Sequence, residues 1–126
     1  MKKRELGKSG LFVSEIGLGC MSLPEDLKES QPIIDAAIYA GINFFDTADL
    51  YGGGKNEEIV GQALKNRRSE IILATKAGNK LNPDGDGWTW DASKMHIMDA
   101  VKKSLLRLGT DYIDLYQLHG GTMEDN

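Results

Sequence analysis

Residues 42–51 read Ile-Asn-Phe-Phe-Asp-Thr-Ala-Asp-Leu-Tyr, an apolar run that ends abruptly in polar side chains. The run Ile42–Phe45 is short and rich in aromatic and β-branched residues, which is typical of a buried strand. Catalytic groups in parallel α/β folds gather where strands end. Asp46 and Tyr51, which follow this strand closely, are therefore candidates for chemistry.

Similar apolar runs recur along the chain, and helical patterns separate them. Strands that are apolar almost throughout and alternate with helices indicate a parallel sheet covered by helices, which is an α/β fold. A short hairpin with a glycine-bearing turn is predicted to precede this pattern. The predicted hairpin strands are Lys3–Leu6 and Leu11–Val13, and the other predicted strands are Ile16–Cys20, Ile71–Thr75 and Tyr112–Leu118.

Three helices are predicted from the spacing of apolar residues and from capping residues. The first runs from about Gln31 to Tyr39, with Ser30 as N-cap, Pro32 in the first turn and Gly41 as the stop. The other two run from Glu57 to about Lys65, with Asn56 as N-cap, and from Ser93 to the stop at Gly109. The stretch Asn79–Trp90 between strand and helix is expected to be a loop because of its Gly, Pro and Asp content.

The composition excludes several classes of protein. A net charge of −4 argues against nucleic acid or an anionic membrane surface as the main partner, because both call for clustered Lys and Arg. The N-terminus has no apolar segment of a signal peptide, and no stretch is apolar enough to span a membrane. Cys20 is the one cysteine, so no intrachain disulfide can form, and a cytoplasmic location is the expectation.

The chain of 126 residues ends at residues 120–126, directly after the fourth strand of the parallel sheet. A barrel of eight parallel strands typically needs about 250 residues. The abrupt end indicates a truncation, with residues 1–126 as one N-terminal part of a larger fold. Such a part would expose strand edges and an apolar face, so self-association is expected.

Each predicted strand end carries a group that could serve chemistry: Gly19-Cys20-Met21, Asp46 with Tyr51, Lys76, and His119. Taken singly, each has an ordinary structural explanation. Asp46 could cap a turn, Tyr51 could be a loop aromatic, Lys76 could be a solvated strand end and His119 could be structural. Their occurrence at equivalent positions favours one shared pocket.

These four side chains suit proton delivery to a carbonyl group. A phenol is a poor acid at neutral pH unless a neighbouring cation stabilises the phenolate, as Lys76 could for Tyr51. Asp46 could keep the lysine charged and oriented, and His119 could hydrogen-bond the substrate oxygen.

The same residues resemble a known family. The segment Phe45–Gly52 (Phe-Asp-Thr-Ala-Asp-Leu-Tyr-Gly) with Asn56-Glu57 resembles the signature of the aldo-keto reductases, and so does the segment Leu105–His119. Residues 6–11 with Gly17–Gly19 resemble the N-terminal hairpin and first strand of that family. The likeness covers essentially the whole chain and is greatest to the bacterial and potassium-channel-β-like branch.

The resemblance implies a (β/α)8 TIM barrel, of which this chain would be the N-terminal half with its first four strands, and an NADPH-dependent reduction of an aldehyde or ketone. NADPH would bind before the carbonyl substrate. By resemblance, Tyr51 is the general acid, Lys76 tunes it, Asp46 pairs with the lysine and His119 orients the carbonyl. Gly19, Cys20 and Met21, together with Asp46, would contact the cofactor, and no metal site is expected.

Several alternatives stay open. The fold could serve a non-catalytic, nucleotide-responsive regulatory or interaction subunit, as in channel-β-like relatives, or the chain could be an unrelated small α/β domain. Trp88 and Trp90 could form one wall of the substrate pocket or pack against the neighbouring helix. Since the resemblance places most of the cofactor's phosphate contacts in later loops, residues 1–126 alone are expected to bind NADPH weakly and to turn over little.

Overall fold

The computed structural model describes residues 1–120. Within this range it contains eight short strands and three α-helices, with a turn of 3-10 helix on either side of the second α-helix. The strands are β1 (Lys3–Glu5), β2 (Phe12–Ser14), β3 (Leu18–Gly19), β4 (Phe44–Asp46), β5 (Ile72–Ala77), β6 (Asn79–Leu81), β7 (Trp88–Trp90) and β8 (Leu115–Leu118). The helices are α1 (Leu27–Tyr39), α2 (Lys55–Leu64) and α3 (Lys94–Leu108), and the 3-10 turns are Tyr51–Gly54 and Lys65–Glu70.

The central sheet is parallel, in the order β3-β4-β5-β8. This confirms the predicted parallel arrangement, and the predicted N-terminal hairpin is present as the antiparallel pair β1–β2. The strands differ in length from the prediction: β3 keeps only two of the five residues Ile16–Cys20, and β8 begins at Leu115 rather than at Tyr112. Apolar composition marks which segments are buried, but the ladder forms only where a neighbouring strand is in register.

The core lies between this sheet and the helices. Phe45 and Leu73 supply its sheet side, and Ile34, Val60 and Leu64 supply its helix side. The Glu57 carboxylate is also fully buried, and it accepts hydrogen bonds from Thr75 Oγ1 (2.8 Å) and Arg107 Nε (2.8 Å). A buried charge needs such partners, because desolvation without them is costly.

The first helix starts earlier than predicted. Asp26 is the N-cap of α1 and its carboxylate accepts from the Lys28 N–H (3.0 Å), so the prediction of Ser30 as N-cap was wrong. Ser30 is a buried helical residue whose hydroxyl donates to the Pro24 carbonyl (2.6 Å). Pro32 consequently lies inside the helix rather than in its first turn. The predicted stop at Gly41 directly follows the C-cap, Ala40.

The start of the second helix also differs from the prediction. The N-cap of α2 is Gly54, which has no capping side chain, so Asn56 is not the N-cap. Asn56 lies in the first turn and is buried, and its amide bonds other parts of the fold instead. A side chain that resembles a local cap can thus serve a distant contact.

The third helix follows the prediction at both ends. The Ser93 hydroxyl accepts from the His96 N–H (3.2 Å), and Gly109 ends the helix in the left-handed region (φ 62°). Helices α2 and α3 approach each other most closely at Gly61, where a Cβ atom would collide with the Leu108 carbonyl. The absence of a side chain at Gly61 therefore sets the spacing of this helix pair.

The predicted loop Asn79–Trp90 is wrong in part, because β6 and β7 form an antiparallel hairpin there. The pairing joins Leu81 to Trp88, and only the tip between them lacks strand structure. The Trp90 ring lies against Gly78. Composition predicted the tip correctly but concealed two three-residue strands, which are too short for a period-2 signal.

The prediction of a truncation rests on residues 120–126, and residues 121–126 lie outside the described residues. Among residues 1–120, no helix is both long and apolar enough to cross a membrane.

Candidate active site

The four predicted side chains meet at the C-terminal edge of the central sheet. Lys76 Nζ lies 2.7 Å from Asp46 Oδ2 and 3.4 Å from Tyr51 Oη, and the Tyr51 and His119 rings are 5.7 Å apart in a T-shaped arrangement. Parallel strands bring their carboxyl ends to one edge, which is why residues 30 or more positions apart in sequence converge here. The hydrogen-bond ladder continues one step past the strands, from the Asp49 N–H to the Lys76 carbonyl (3.2 Å), and so fixes the loop that carries Tyr51.

Lys76 is the centre of the group. Its ammonium donates to Asp46 Oδ2, to the Thr47 carbonyl (2.8 Å) and to Tyr51 Oη. The side chain is only 14% exposed, while Asp46 is 34% exposed. A mostly desolvated cation next to a phenol oxygen stabilises negative charge on that oxygen.

His119 is the fourth member of the group, and its ring meets the Tyr51 ring edge to face. Its backbone carbonyl accepts a hydrogen bond from Asn79 Nδ2 (2.9 Å), and its N–H donates to the Ala77 carbonyl (2.8 Å), so its main chain is fixed at two points. Burial and, to a smaller extent, the Lys76 cation lower the pKa of the imidazole, and the opposing effect of Asp46 is weaker. His119 is therefore neutral near pH 7 and can donate one N–H to a substrate. Its Nδ1 is buried and has no hydrogen-bond partner among the described residues.

The predicted cofactor contacts lie at the end of β3, beside this group. Gly19 pairs with Asp46 in register, and nothing lies within 4 Å of where its Cβ would be. Met21 is 65% exposed at the same edge. The Cys20 thiol is fully buried instead, and desolvation raises its pKa to about 12, so it stays protonated and unreactive.

Asn56 has a role at this site that its sequence context did not reveal. Its Oδ1 accepts from Thr47 Oγ1 (2.5 Å) and its Nδ2 donates to the Cys20 carbonyl (2.7 Å). The amide thus links the ends of β3 and β4, which carry Cys20 and Asp46. The sequence offered one signal, a polar residue two positions after three glycines, but it was interpreted as a helix cap.

Gln117 was also missed. It lies on β8 in register with Lys76, and its Nε2 donates to Asp46 Oδ1 (3.0 Å). An amide within the otherwise apolar stretch of β8 was the available signal, since such a group needs a partner when it is partly buried.

A cavity of about 580 Å³ lies apart from these four side chains, between α3, the β6–β7 hairpin and the loop after β4. Asp49, His96 and Arg107 are among its lining residues. Desolvation and the nearby Glu57 charge raise the pKa of Asp49 to about 6. Desolvation, with the charge of Asp49, raises the pKa of Tyr116 beside it to about 12. None of Asp46, Tyr51, Lys76 and His119 lines this cavity.

Within residues 1–120, no group of three or more His, Cys, Asp or Glu side chains is arranged to hold a metal ion. The groups brought together at this edge of the sheet are a phenol, an ammonium, a carboxylate and an imidazole.

The chain belongs to the aldo/keto reductase family, because the model of that family matches residues 15–124. It is 64% identical to the uncharacterized oxidoreductase YqkF of Bacillus subtilis over its whole length, which covers 41% of that relative. The holo form of the aldo-keto reductase AKR11C1 from Bacillus halodurans superposes with a TM-score of 0.94 at 60% identity, covering 99% of this chain and 42% of that one. The four-stranded parallel sheet thus corresponds to part of the aldo-keto reductase barrel.

Two other relatives have names that describe different roles. One is the Schizosaccharomyces pombe aldo-keto reductase yakc [NADP(+)], 40% identical over 85% of this chain and 34% of the relative. The other is a probable voltage-gated potassium channel subunit beta of Oryza sativa, 37% identical over 94% of this chain and 37% of the relative. The chain spans about two-fifths of the length of the relatives it matches.

Proposed function

We propose that residues 1–126 are the N-terminal half of an NADPH-dependent aldo-keto reductase barrel that reduces the carbonyl group of an aldehyde or ketone. The observation that supports this most directly is the position of Lys76 Nζ, which bridges Asp46 Oδ2 (2.7 Å) and Tyr51 Oη (3.4 Å). A phenol held against a mostly buried ammonium is suited to giving up a proton, because the cation stabilises the phenolate.

In the proposed reaction Tyr51 protonates the carbonyl oxygen as negative charge develops there. Lys76 stabilises the phenolate that remains, and Asp46 keeps the ammonium charged and in place. His119, neutral near pH 7, donates a hydrogen bond to the same oxygen and so orients the substrate. In this proposal both groups contact one carbonyl oxygen, which is consistent with the 5.7 Å between the centroids of their rings.

NADPH supplies the hydride when it is bound. The residues at the end of β3 fit this role: Gly19 leaves open space beside Asp46, and Met21 is exposed there. The name of the Schizosaccharomyces pombe relative supports NADP as the cofactor type. We assign Gly19, Met21 and Asp46 to the cofactor side of the site. Cys20, which was predicted to join them, is fully buried, and its N–H and carbonyl already bond Asp46 and Asn56.

The proposal is tested in a chain that contains a whole barrel. Residues 1–126 are continued by the remaining sequence of the 64%-identical Bacillus subtilis relative, and this protein is called the completed chain below. It is assayed for NADPH oxidation with a panel of aldehydes and ketones. Replacing Tyr51 by Phe removes the acid and is expected to lower kcat by at least about 100-fold.

The matched control is Tyr39→Phe, which removes a hydroxyl from a tyrosine that is 95% exposed on α1. The control is expected to leave kcat unchanged. Equal activity in Tyr51→Phe and Tyr39→Phe, or no turnover of any carbonyl by the completed chain, would contradict the proposed reaction.

The 126-residue chain by itself is expected to bind NADPH weakly and to turn over little or nothing, since it spans only about two-fifths of its relatives. A titration with NADPH, followed by the fluorescence of Trp88 and Trp90, measures this. Binding in the micromolar range or measurable carbonyl reduction would count against the expectation. Whether either tryptophan forms a wall of the substrate pocket stays a prediction.

We also propose that the 126-residue chain associates with a second copy of itself. Within the described residues, β3 and β8 are the outer strands of the central sheet and each pairs on one side only. Unpaired strand edges offer rows of free N–H and C=O groups to another chain. Light scattering at increasing concentration is expected to give a dimer, and a monomer at all concentrations would refute this.

The cytoplasmic location stays a prediction.

A second candidate function is a non-catalytic, nucleotide-responsive regulatory subunit. The likeness to the Oryza sativa channel subunit supports it. In that case the completed chain would bind NADPH yet reduce no carbonyl, and Tyr51→Phe would change nothing.

A further inference from the structure

We infer that Gln117 is a positioning residue for the proton-donating group, because its amide fixes the carboxylate that holds Lys76 against Tyr51. This inference rests on the proposed function and adds to it a residue that is not one of the four at the centre of the site.

The first support is that each oxygen of the Asp46 carboxylate has its own hydrogen-bond donor. Oδ2 accepts from Lys76 Nζ (2.7 Å), and Oδ1 accepts from Gln117 Nε2 (3.0 Å). With a separate donor on each oxygen, the carboxylate loses a hydrogen bond if it rotates about its Cβ–Cγ bond. Without Gln117, Oδ1 has no donor among the described residues and this restraint disappears.

The second support is the path that the Gln117 side chain takes. Gln117 is on β8 and Asp46 on β4, with β5 between them, so the amide must cross one full strand. Neighbouring strands lie about 4.8 Å apart, which puts the two backbones about 10 Å from each other. Ala74, in register with Asp46 on β5, is small and leaves room for the crossing. The contact is therefore a bridge over the sheet rather than an incidental neighbour.

The third support is that Lys76 has no donor to spare. An ammonium has three protons, and its partners are Asp46 Oδ2, the Thr47 carbonyl and Tyr51 Oη. Any rotation of the Asp46 carboxylate pulls the ammonium away from the phenol, since the bond to Asp46 is the shortest and is charge-assisted. Gln117 thus acts on Tyr51 through Asp46 and Lys76.

The test begins with a near-isosteric change in the completed chain. Gln117→Met keeps the length of the side chain but removes the donor. We expect kcat to fall about tenfold, the scale of one lost hydrogen bond to a charged group, with the KM for NADPH changed less than twofold. Gln62→Met, an exposed glutamine on α2, is the matched control. Equal kcat in the two variants, or a change in KM alone, would overturn the inference.

A second variant has a signature that packing alone would not produce. Gln117→Glu places a carboxylate against Asp46 at neutral pH, which repels it and competes for Lys76, so kcat is expected to fall further than in Gln117→Met. As pH falls the new carboxyl becomes protonated and its O–H can donate to Oδ1 as the amide did. Activity relative to the parent should therefore recover towards pH 5. A ratio that does not change with pH would contradict the proposed hydrogen bond.

A third measurement separates this inference from the proposed function. In the 126-residue chain labelled with ¹⁵N-lysine, the Lys76 ammonium gives an NMR correlation only if its protons are held in hydrogen bonds. We expect that signal in the parent and in Gln62→Met, and its loss in Gln117→Met. A completed chain without turnover contradicts the reaction, whereas an Lys76 signal unchanged in Gln117→Met, or absent from the parent, contradicts the positioning role.

Discussion

The two ends of the central sheet each carry a cation bound to an aspartate, and the two pairs are used differently. At the C-terminal edge, Lys76 binds Asp46 at 2.7 Å. At the N-terminal edge, Arg68 binds Asp114 at 2.9 Å, and both of these side chains are about 85% buried. The distances are similar, so the difference lies in what else each cation contacts.

Arg68 spends its remaining donors on the main chain and on a threonine. It binds the carbonyls of Ile71 (3.3 Å) and Tyr112 (2.8 Å) and the Thr110 hydroxyl (3.0 Å), and it stacks on the Tyr112 ring. Asp114 in turn accepts from the Leu73 N–H (2.9 Å). All of these contacts tie the start of β5 to the start of β8. Lys76, in contrast, donates one hydrogen bond to the Tyr51 phenol oxygen, which is a side-chain contact and ties no main-chain segment.

The comparison teaches that one kind of ion pair can tie the main chain of a sheet at one end and, in the proposed function, position a proton donor at the other. In barrels of parallel strands the C-terminal face serves chemistry and the N-terminal face serves stability. Loss of the Arg68 pair should therefore reduce stability, and loss of the Lys76 pair should reduce turnover.

The largest expected effect is on turnover at the C-terminal edge. In the completed chain, Lys76→Met removes the cation that stabilises the phenolate, and kcat should fall about 1,000-fold, within the range that a positioned proton donor contributes. The free energy of unfolding in urea should change by no more than about 1 kcal/mol, because the partly exposed Asp46 keeps Gln117 as a partner. Lys65→Met, at an exposed position after α2, is the control. A loss of stability as large as that of an Arg68 variant would erase the distinction between the edges.

The next effect is on stability at the N-terminal edge. Arg68→Ala leaves Asp114 buried without its cation and frees two carbonyls, so the free energy of unfolding should drop by about 3 kcal/mol. Its neighbour Arg67 is exposed, and Arg67→Ala should lower that free energy by less than about 0.5 kcal/mol. Activity per folded molecule should stay within about twofold of the parent, since both residues lie far from the reacting atoms. Equal losses of stability in the two variants would show that the Arg68 contacts contribute nothing.

The smallest expected effect concerns the Asp49 carboxylate, which belongs to neither of the two ion pairs. Asp49 is partly buried, with Oδ1 unpartnered among the described residues, and desolvation together with Glu57 raises its pKa to about 6. Arg107 and His96 oppose the shift. A raised folded-state pKa means that the ionised form destabilises the fold. The contribution of Asp49 is therefore most favourable below its unfolded pKa near 3.8 and is lost as pH rises through about 6.

Replacing Asp49 by Asn removes the charge with little change in shape. At pH 7.5 the variant should be more stable than the parent by about 1 kcal/mol, a value reduced from the full shift because the group is partly solvated. At pH 4 the difference should vanish. Asp111→Asn, at an exposed position, should show no such trend. Urea unfolding at both pH values measures this, and a constant difference would mean that Asp49 is well solvated.

The sequence predicted the parallel sheet and the convergence of the four side chains, because strands and their ends leave local signals. Apolar runs of strand length marked β4 and β5, and the polar residue after each run lies within the last two residues of its strand. Asp46 and Lys76 could be recognised as neighbours because parallel strands end at one edge. Ser93 and Gly109 bounded α3 correctly, since a capping hydroxyl and a left-handed glycine act within a few residues of themselves.

The sequence did not predict contacts that join distant segments. Ser30 and Asn56 are residue types that commonly cap helices, but their side chains bond groups outside their own helix. Ser30 donates to the Pro24 carbonyl, and Asn56 bonds Thr47 and Cys20. Gln117 reaches Asp46 across 71 positions of sequence, and nothing near either residue reveals the pair. The two strands of the β6–β7 hairpin are three residues each, which is too short for periodicity to register.

The close approach of α2 and α3 at Gly61 has a consequence for laboratory evolution. In a library that replaces every position in turn, Gly61 should tolerate almost no alternative, because even alanine would meet the Leu108 carbonyl. Tyr39 and Leu106 are 95% and 82% exposed and should accept most residues. A clone that survives at Gly61 would need a compensating change in α3 at the same time. Searches for new substrate preferences should therefore randomise the exposed helix positions and leave this crossing untouched.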